Sequence, residues 1–108
     1  MDSCIIPDEI SQLHNLRELF LIDFGLETIS RGIFALTNLS ILNAKHNRVT
    51  YLSPSVSRLV KLELLVLSEN RLNSVPSELA LLSNLQELHL VRNPLATLPV
   101  ELANLAPH

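Results

Sequence analysis

Shifting the 108-residue sequence by 23 positions lays leucine on leucine from end to end, and a fixed period of about 20–50 residues marks a stacked-repeat architecture. Full repeats begin at Leu16, Leu39, Leu62 and Leu85. The pattern continues through Leu19, Leu42, Leu65 and Leu88, then through Leu21, Ala44, Leu67 and Leu90. An asparagine column follows at Asn47, Asn70 and Asn93, with Phe24 in the corresponding place of the first full repeat. Further apolar columns run through Leu26, Val49, Leu72 and Leu95 and through Ile29, Leu52, Val75 and Leu98, with Ile6 ahead of them. The back of each repeat adds Ile10, Ile33, Val56, Leu79 and Leu102, and Leu13, Leu36, Leu59, Leu82 and Leu105.

The spacing dictates local structure. In L-x-x-L-x-L the last leucines are two apart, the period of a strand with one buried face. The back segments place apolar residues three apart, as in Ile10-Leu13-Leu16, which suits a short helix or a 3₁₀ turn. Pro7, Pro76 and Pro99 open three of these segments and are expected at first helical positions, where no donor is lost. Asp8, Glu9, Glu78 and Glu101 lie near the positive end of those turns. A single repeat cannot bury its own leucines, but stacked repeats share a continuous core. The expected fold is an α/β solenoid with a curved parallel β-sheet on the concave face and short helical or 3₁₀ segments on the convex face. It forms one domain over 1–108, with a partial repeat at 1–15 and full repeats at 16–38, 39–61, 62–84 and 85–107. The asparagines fall where the chain leaves each strand, so their amides are expected to satisfy backbone groups of neighbouring turns.

Composition narrows the function. The chain is 47% hydrophobic but only 4% aromatic with no Trp, so its core is aliphatic. A net charge of −3 with eight Lys and Arg offers little attraction to phosphate backbones, and nucleic acid is not an expected partner. No basic segment followed by an apolar run opens the chain, and no stretch is apolar enough to insert in a membrane. The single cysteine, Cys4, cannot form an internal disulfide, which favours a cytoplasmic location. Cys4 reads as a small apolar filler. The triplet Asn38-Leu39-Ser40 carries no weight without secretion.

The third repeat, LELLVLSENRLNSVPSELALLSN over 62–84, resembles the consensus of intracellular leucine-rich repeats, and the fourth follows it closely. The 23-residue length and the placement of L-P-type dipeptides are similar to the Ras-suppressor-like and Scribble-like scaffold group. The resemblance covers essentially the whole chain and speaks to fold more than function, because consensus residues are core residues. It implies a scaffold or signalling module that binds a protein such as a small GTPase, phosphatase or polarity factor through its concave sheet.

Two departures and two ends stand out. Phe24 removes one asparagine, so its turn is expected to be packed by the ring or distorted. Ala44 thins the core of the second repeat, leaving space for Phe24 or Phe34 to fill; Phe34 itself reads as packing. Neither end shows a polar cap, which points to a piece of a larger protein or to self-association through the uncapped ends.

With the leucines inward, the intervening residues form outward columns: Glu18, Ile41, Leu64 and Glu87; Phe20, Asn43, Val66 and His89; Ile22, Lys45, Ser68 and Val91; Asp23, His46, Glu69 and Arg92. Phe20, Ile22, Ile41, Leu64 and Val66 are apolar where the fold does not require it, so they form the candidate partner-binding patch. Such residues also simply suit strands. Asp23, His46, Glu69 and Arg92 alternate in charge and form a candidate ionic ladder beside the patch, with Arg48 and Arg71 on its rim. Each exposed pair contributes about 0–1 kcal/mol, so partner selection is their better use; a solvated edge is the alternative. His46 and His89 fall in different columns, and no nucleophile with a base or Gly-rich phosphate loop is present. No metal site, cofactor or catalysis is therefore expected. The competing reading is a structural interior segment of a longer repeat protein without a partner site of its own.

Overall fold

The computed structural model describes residues 5–102. Four three-residue strands, β1 (Glu18–Phe20), β2 (Ile41–Asn43), β3 (Leu64–Val66) and β4 (Glu87–His89), form one parallel sheet in chain order. They alternate with five 3₁₀ segments: η1 (Asp8–Gln12), η2 (Arg31–Ala35), η3 (Pro54–Arg58), η4 (Ser77–Leu81) and η5 (Val100–Leu102). Glu18, Ile41, Leu64 and Glu87 pair in register, as do Phe20, Asn43, Val66 and His89. The sequence period is therefore the period of the coil, and the fold is the expected leucine-rich-repeat solenoid.

Two hydrogen-bond patterns build each turn. On the sheet side the ladder runs beyond the strands, with Leu21 N–H donating to the Asn43 carbonyl, Ala44 N–H to Val66 and Leu67 N–H to His89. On the opposite side each apolar residue donates to the carbonyl three residues back: Ile33 to Ser30, Leu36 to Ile33 and Leu39 to Leu36, all at 3.0 Å. The spacing of three is a 3₁₀ spacing because the same residues both close these bonds and face the core.

Proline placement differs from expectation. Pro7 and Pro76 stand one position ahead of η1 and η4, with extended ψ of 151° and 147°, and Pro54 is the proline inside the first turn. Pro99 likewise precedes η5. The preceding place is physically suitable because the proline carbonyl accepts the first turn's bond, from Ile10 and Leu79 at 3.1 and 3.2 Å.

Leu42, Leu65 and Leu88 are fully buried and join one continuous aliphatic core with Val49, Leu59 and Leu72. Ala44 is enclosed, and Phe34 is packed away on η2. Phe24 does not fill the space beside Ala44, because it is 49% exposed. Its turn is also undistorted. Phe24 N–H still donates to Asn47 Oδ1 at 3.0 Å, and the preceding Asp23 has the same left-handed φ, 61°, as its counterparts.

Asn47 shows how the coils are joined. Its Oδ1 accepts from Phe24 and Leu26 N–H, and its Nδ2 donates to the carbonyls of Leu21, Ala44 and Lys45. Asn70 repeats this with Val49 N–H and the carbonyls of Ala44, Leu67 and Ser68. Asn93 does so with Leu72 N–H and the carbonyls of Leu67 and Leu90. Each amide thus binds backbone groups of its own repeat and of the one before it. Cys4, Leu105 and His108 lie outside the described residues.

A second polar ladder, which the leucine pattern conceals, runs ahead of the strands. Asn38 Nδ2 donates to the His14 carbonyl, Lys61 Nζ to Asn38 Oδ1, and Asn84 Nδ2 to the Val60 carbonyl, at 2.8–2.9 Å. On the convex side, a Cβ at Gly32 would collide with the Asp8 backbone, so glycine permits the close approach of η1 and η2. Ser30 Oγ, just ahead of η2, is buried without a hydrogen-bond partner among the described residues.

Candidate partner-binding surface

Three-residue strands fix what faces outward. The middle residues Leu19, Leu42, Leu65 and Leu88 enter the core, so the residues on either side of each must emerge on the opposite face. Parallel register then places Ile41 beside Leu64 and Phe20 beside Asn43. The outward columns follow.

The candidate patch does not form one flat apolar area. Phe20 and Ile22 are 51% and 44% exposed, whereas Ile41 and Leu64 are half-buried. Val66, expected outside, is buried at 9% exposure. It is a short β-branched side chain flanked in register by Asn43 and His89. The accessible apolar surface is therefore an Ile41–Leu64 floor with Phe20 and Ile22 standing at the β1 side. Phe24 adds a third exposed apolar side chain to this first repeat. Sequence reasoning missed it by assigning the residue to the turn, although a phenyl ring cannot replace the amide's hydrogen bonds.

Charge follows a partly different pairing from the expected ladder. His46 Nδ1 lies 3.2 Å from Asp23 Oδ1, as the column predicts. Glu69 instead meets Lys45 at 3.7 Å, and among the described residues no ion pair joins Glu69 to Arg92. His89 Nε2 contacts Glu87 Oε1 at 3.0 Å within its own strand. Asp23, His46, Glu69 and Arg92 all have left-handed backbones, with φ of 59–63°. Their side chains leave the chain where it turns away from the sheet. Arg48 and Arg71 line one pocket with Asp23, Gly25, His46 and Asn47.

Among the described residues no group of three or more His, Cys, Asp or Glu converges as metal ligands, and no helix is long and apolar enough to cross a membrane. The surface has the chemistry of macromolecular contact: a small apolar floor, exposed aromatic and aliphatic posts, and a rim of both charges.

This architecture defines a class of stacked-repeat proteins that offer a rigid parallel sheet to a partner. The leucine-rich-repeat family model matches residues 37–95, more than half of the chain, and the chain belongs to that family. Domains of this family typically act as protein-protein interaction modules and are generally non-enzymatic. Among solved structures, a leucine-rich-repeat protein of Leptospira interrogans is 32% identical, with 96% of this chain and 28% of that one covered and a TM-score of 0.87. Internalin C2 of Listeria monocytogenes is 35% identical over 94% of this chain and 43% of its own, with a TM-score of 0.80. The ectodomain of an Arabidopsis thaliana membrane receptor kinase, solved in complex with Casparian strip integrity factor 2, is 31% identical. It is covered over 12% of its length by 90% of this chain, with a TM-score of 0.79. This chain thus spans less than half the length of each. Comparison with curated proteins gives no match.

Proposed function

We propose that the chain is a protein-protein interaction module that receives a partner protein on its parallel sheet, over Phe20, Ile22, Ile41 and Leu64, with His46, Glu69, Arg92, Arg48 and Arg71 as the selecting rim. The observation that carries this reading is exposure without structural need: Phe20 and Ile22 are about half exposed at positions where the coil accepts polar residues as well. Val66 is recessed and contributes little contact. A half-exposed aromatic beside an apolar floor is the kind of anchor that dominates binding energy. The receptor-kinase ectodomain, solved with a bound factor, supports a protein or peptide as the occupant. The setting we propose is a cytoplasmic scaffold of the Ras-suppressor-like or Scribble-like type, acting by holding signalling proteins rather than by catalysis.

The test is capture of partners by the wild-type chain beside Phe20→Asp and Leu64→Asp, with Leu81→Asp on the opposite face as control. Leu81 is 68% exposed on η4. Loss of capture in the two sheet variants, with an unchanged circular dichroism spectrum and intact capture by Leu81→Asp, is the expected result. No capture by the wild-type chain would leave the competing reading, a structural segment of a longer solenoid, and equal capture by all four would move the partner off this sheet.

A further inference from the structure

Arg48 and Arg71 occupy the same place in consecutive repeats, and both line a pocket of about 240 Å³ with Asp23, Gly25, His46 and Asn47. Their backbones are pinned, Arg48 N–H to the Leu26 carbonyl at 2.7 Å and Arg71 N–H to the Val49 carbonyl at 2.9 Å. The two side chains therefore start from fixed points on adjacent coils, spaced roughly as adjacent strands, about 5 Å.

The neighbouring acids are already engaged, Asp23 with His46 at 3.2 Å and Glu69 with Lys45 at 3.7 Å. Neither guanidinium has an ion pair or side-chain hydrogen bond among the described residues. Two arginines and one carboxylate, Asp23, thus line one notch in a chain of net charge −3. Nothing in the solenoid requires two arginines here, and an anion between them would be attracted by both. The pocket is smaller than the roughly 300–1,000 Å³ of a drug-sized site, so it suits a single functional group rather than a nucleotide or cofactor. Guanidinium groups offer planar pairs of N–H donors that match carboxylate and phosphate oxygens. The Asp23 carboxylate, which also lines the pocket, disfavours an anion beside itself, so the arginines are the groups that would hold one.

We infer that the notch is a subsite for an oxyanion carried by the partner, a carboxylate or a phosphate monoester, held by Arg48 and Arg71 at the edge of the sheet. This deepens the partner reading above and rests on it.

The test is an NMR titration of the full chain with inorganic phosphate and, separately, acetate, following the arginine Nε–H resonances. Saturable shifts at Arg48 and Arg71, and not at Arg17, Arg31, Arg58 or Arg92, are expected. Arg48→Gln and Arg71→Gln should each weaken binding by about tenfold or more, as loss of a charge-assisted hydrogen bond implies. Preference for phosphate identifies a phosphorylated partner, and equal or better binding of acetate identifies an acidic side chain or chain terminus. Non-saturating shifts spread over all arginines, or saturable shifts that persist in the double variant, overturn the inference. Phe20→Ser separates the two ideas. If it abolishes partner capture while no probe binds, only the oxyanion subsite is lost; if probes bind but capture persists, only the sheet reading fails.

Discussion

The first and third repeats carry nearly the same apolar pattern, yet they are buried very differently. Leu62, Leu65, Leu67 and Leu72 of the third repeat are inaccessible to solvent, whereas Leu16 and Leu19 of the first are half-buried and Leu13, just ahead of it, is 56% exposed. The difference lies in the neighbours rather than in the residues. β3 is hydrogen-bonded on both sides, and β1 is paired with β2 alone. In a solenoid a leucine is worth what the adjoining coils make of it.

The strongest way to break this comparison is to truncate equivalent leucines. Leu65→Ala should cost about 3–5 kcal/mol, the range for a fully enclosed leucine leaving a cavity, while Leu19→Ala should cost no more than about half of that. Urea denaturation of the two variants measures both, and equal losses would show that burial by neighbours does not set the scale.

Asparagine removal sharpens the same contrast. Asn70→Ala leaves Val49 N–H without its acceptor, while the Ala44 carbonyl keeps its bond from Asn47, so at about 1–3 kcal/mol for a buried unpaired group the expected loss is about 1–3 kcal/mol. Phe24→Ala removes a half-exposed ring and no hydrogen bond, so the loss should stay below about 1 kcal/mol. The thermal midpoints of the two should separate clearly.

Gly32→Ala probes the joint between η1 and η2. Alanine is favoured over glycine in helical backbone by about 0.5–1 kcal/mol, but the added carbon meets the Asp8 backbone, which cannot yield as a side-chain tip would. A net loss of about 1–2 kcal/mol is expected, with amide exchange accelerated at Ile10 and Leu13 and unchanged at Leu65. Uniform protection across the chain would remove the idea of a locally weaker first coil.

The smallest effect belongs to Arg31→Ala. Arg31 meets Asp8 at 3.0 Å across the same joint, but its side chain is 89% exposed and that of Asp8 52%. Solvent screening should hold the change within about 0.5 kcal/mol. A larger drop in the urea midpoint would mean that charge, rather than glycine, sets the approach of η1 to η2.

The parts of the molecule legible in the sequence are those governed by the repeat. The strand positions, the inward leucines, the outward columns and the asparagine ladder all follow from one spacing, because stacking imposes the same environment on every equivalent residue. What the spacing could not supply depends on side-chain size and reach across coils. Val66 is buried between Asn43 and His89, Glu69 turns to Lys45 rather than along its column, and Phe24 stays half exposed while its turn is completed by Asn47. The Asn38, Lys61 and Asn84 contacts were hidden for a related reason: their column mixes residue types, and only the backbone geometry shows that each reaches toward the previous coil.

The four left-handed positions have a further consequence. Asp23, His46, Glu69 and Arg92 hold φ near 60° without being glycine, a conformation that costs an ordinary L-residue about 1–2 kcal/mol. Glycine there would relax the backbone at every corner, so the molecule forgoes ease of winding to display acid, imidazole and guanidinium groups at its bends. Those corners are where an engineer could trade chemical vocabulary for thermal endurance, one coil at a time, without disturbing a single leucine.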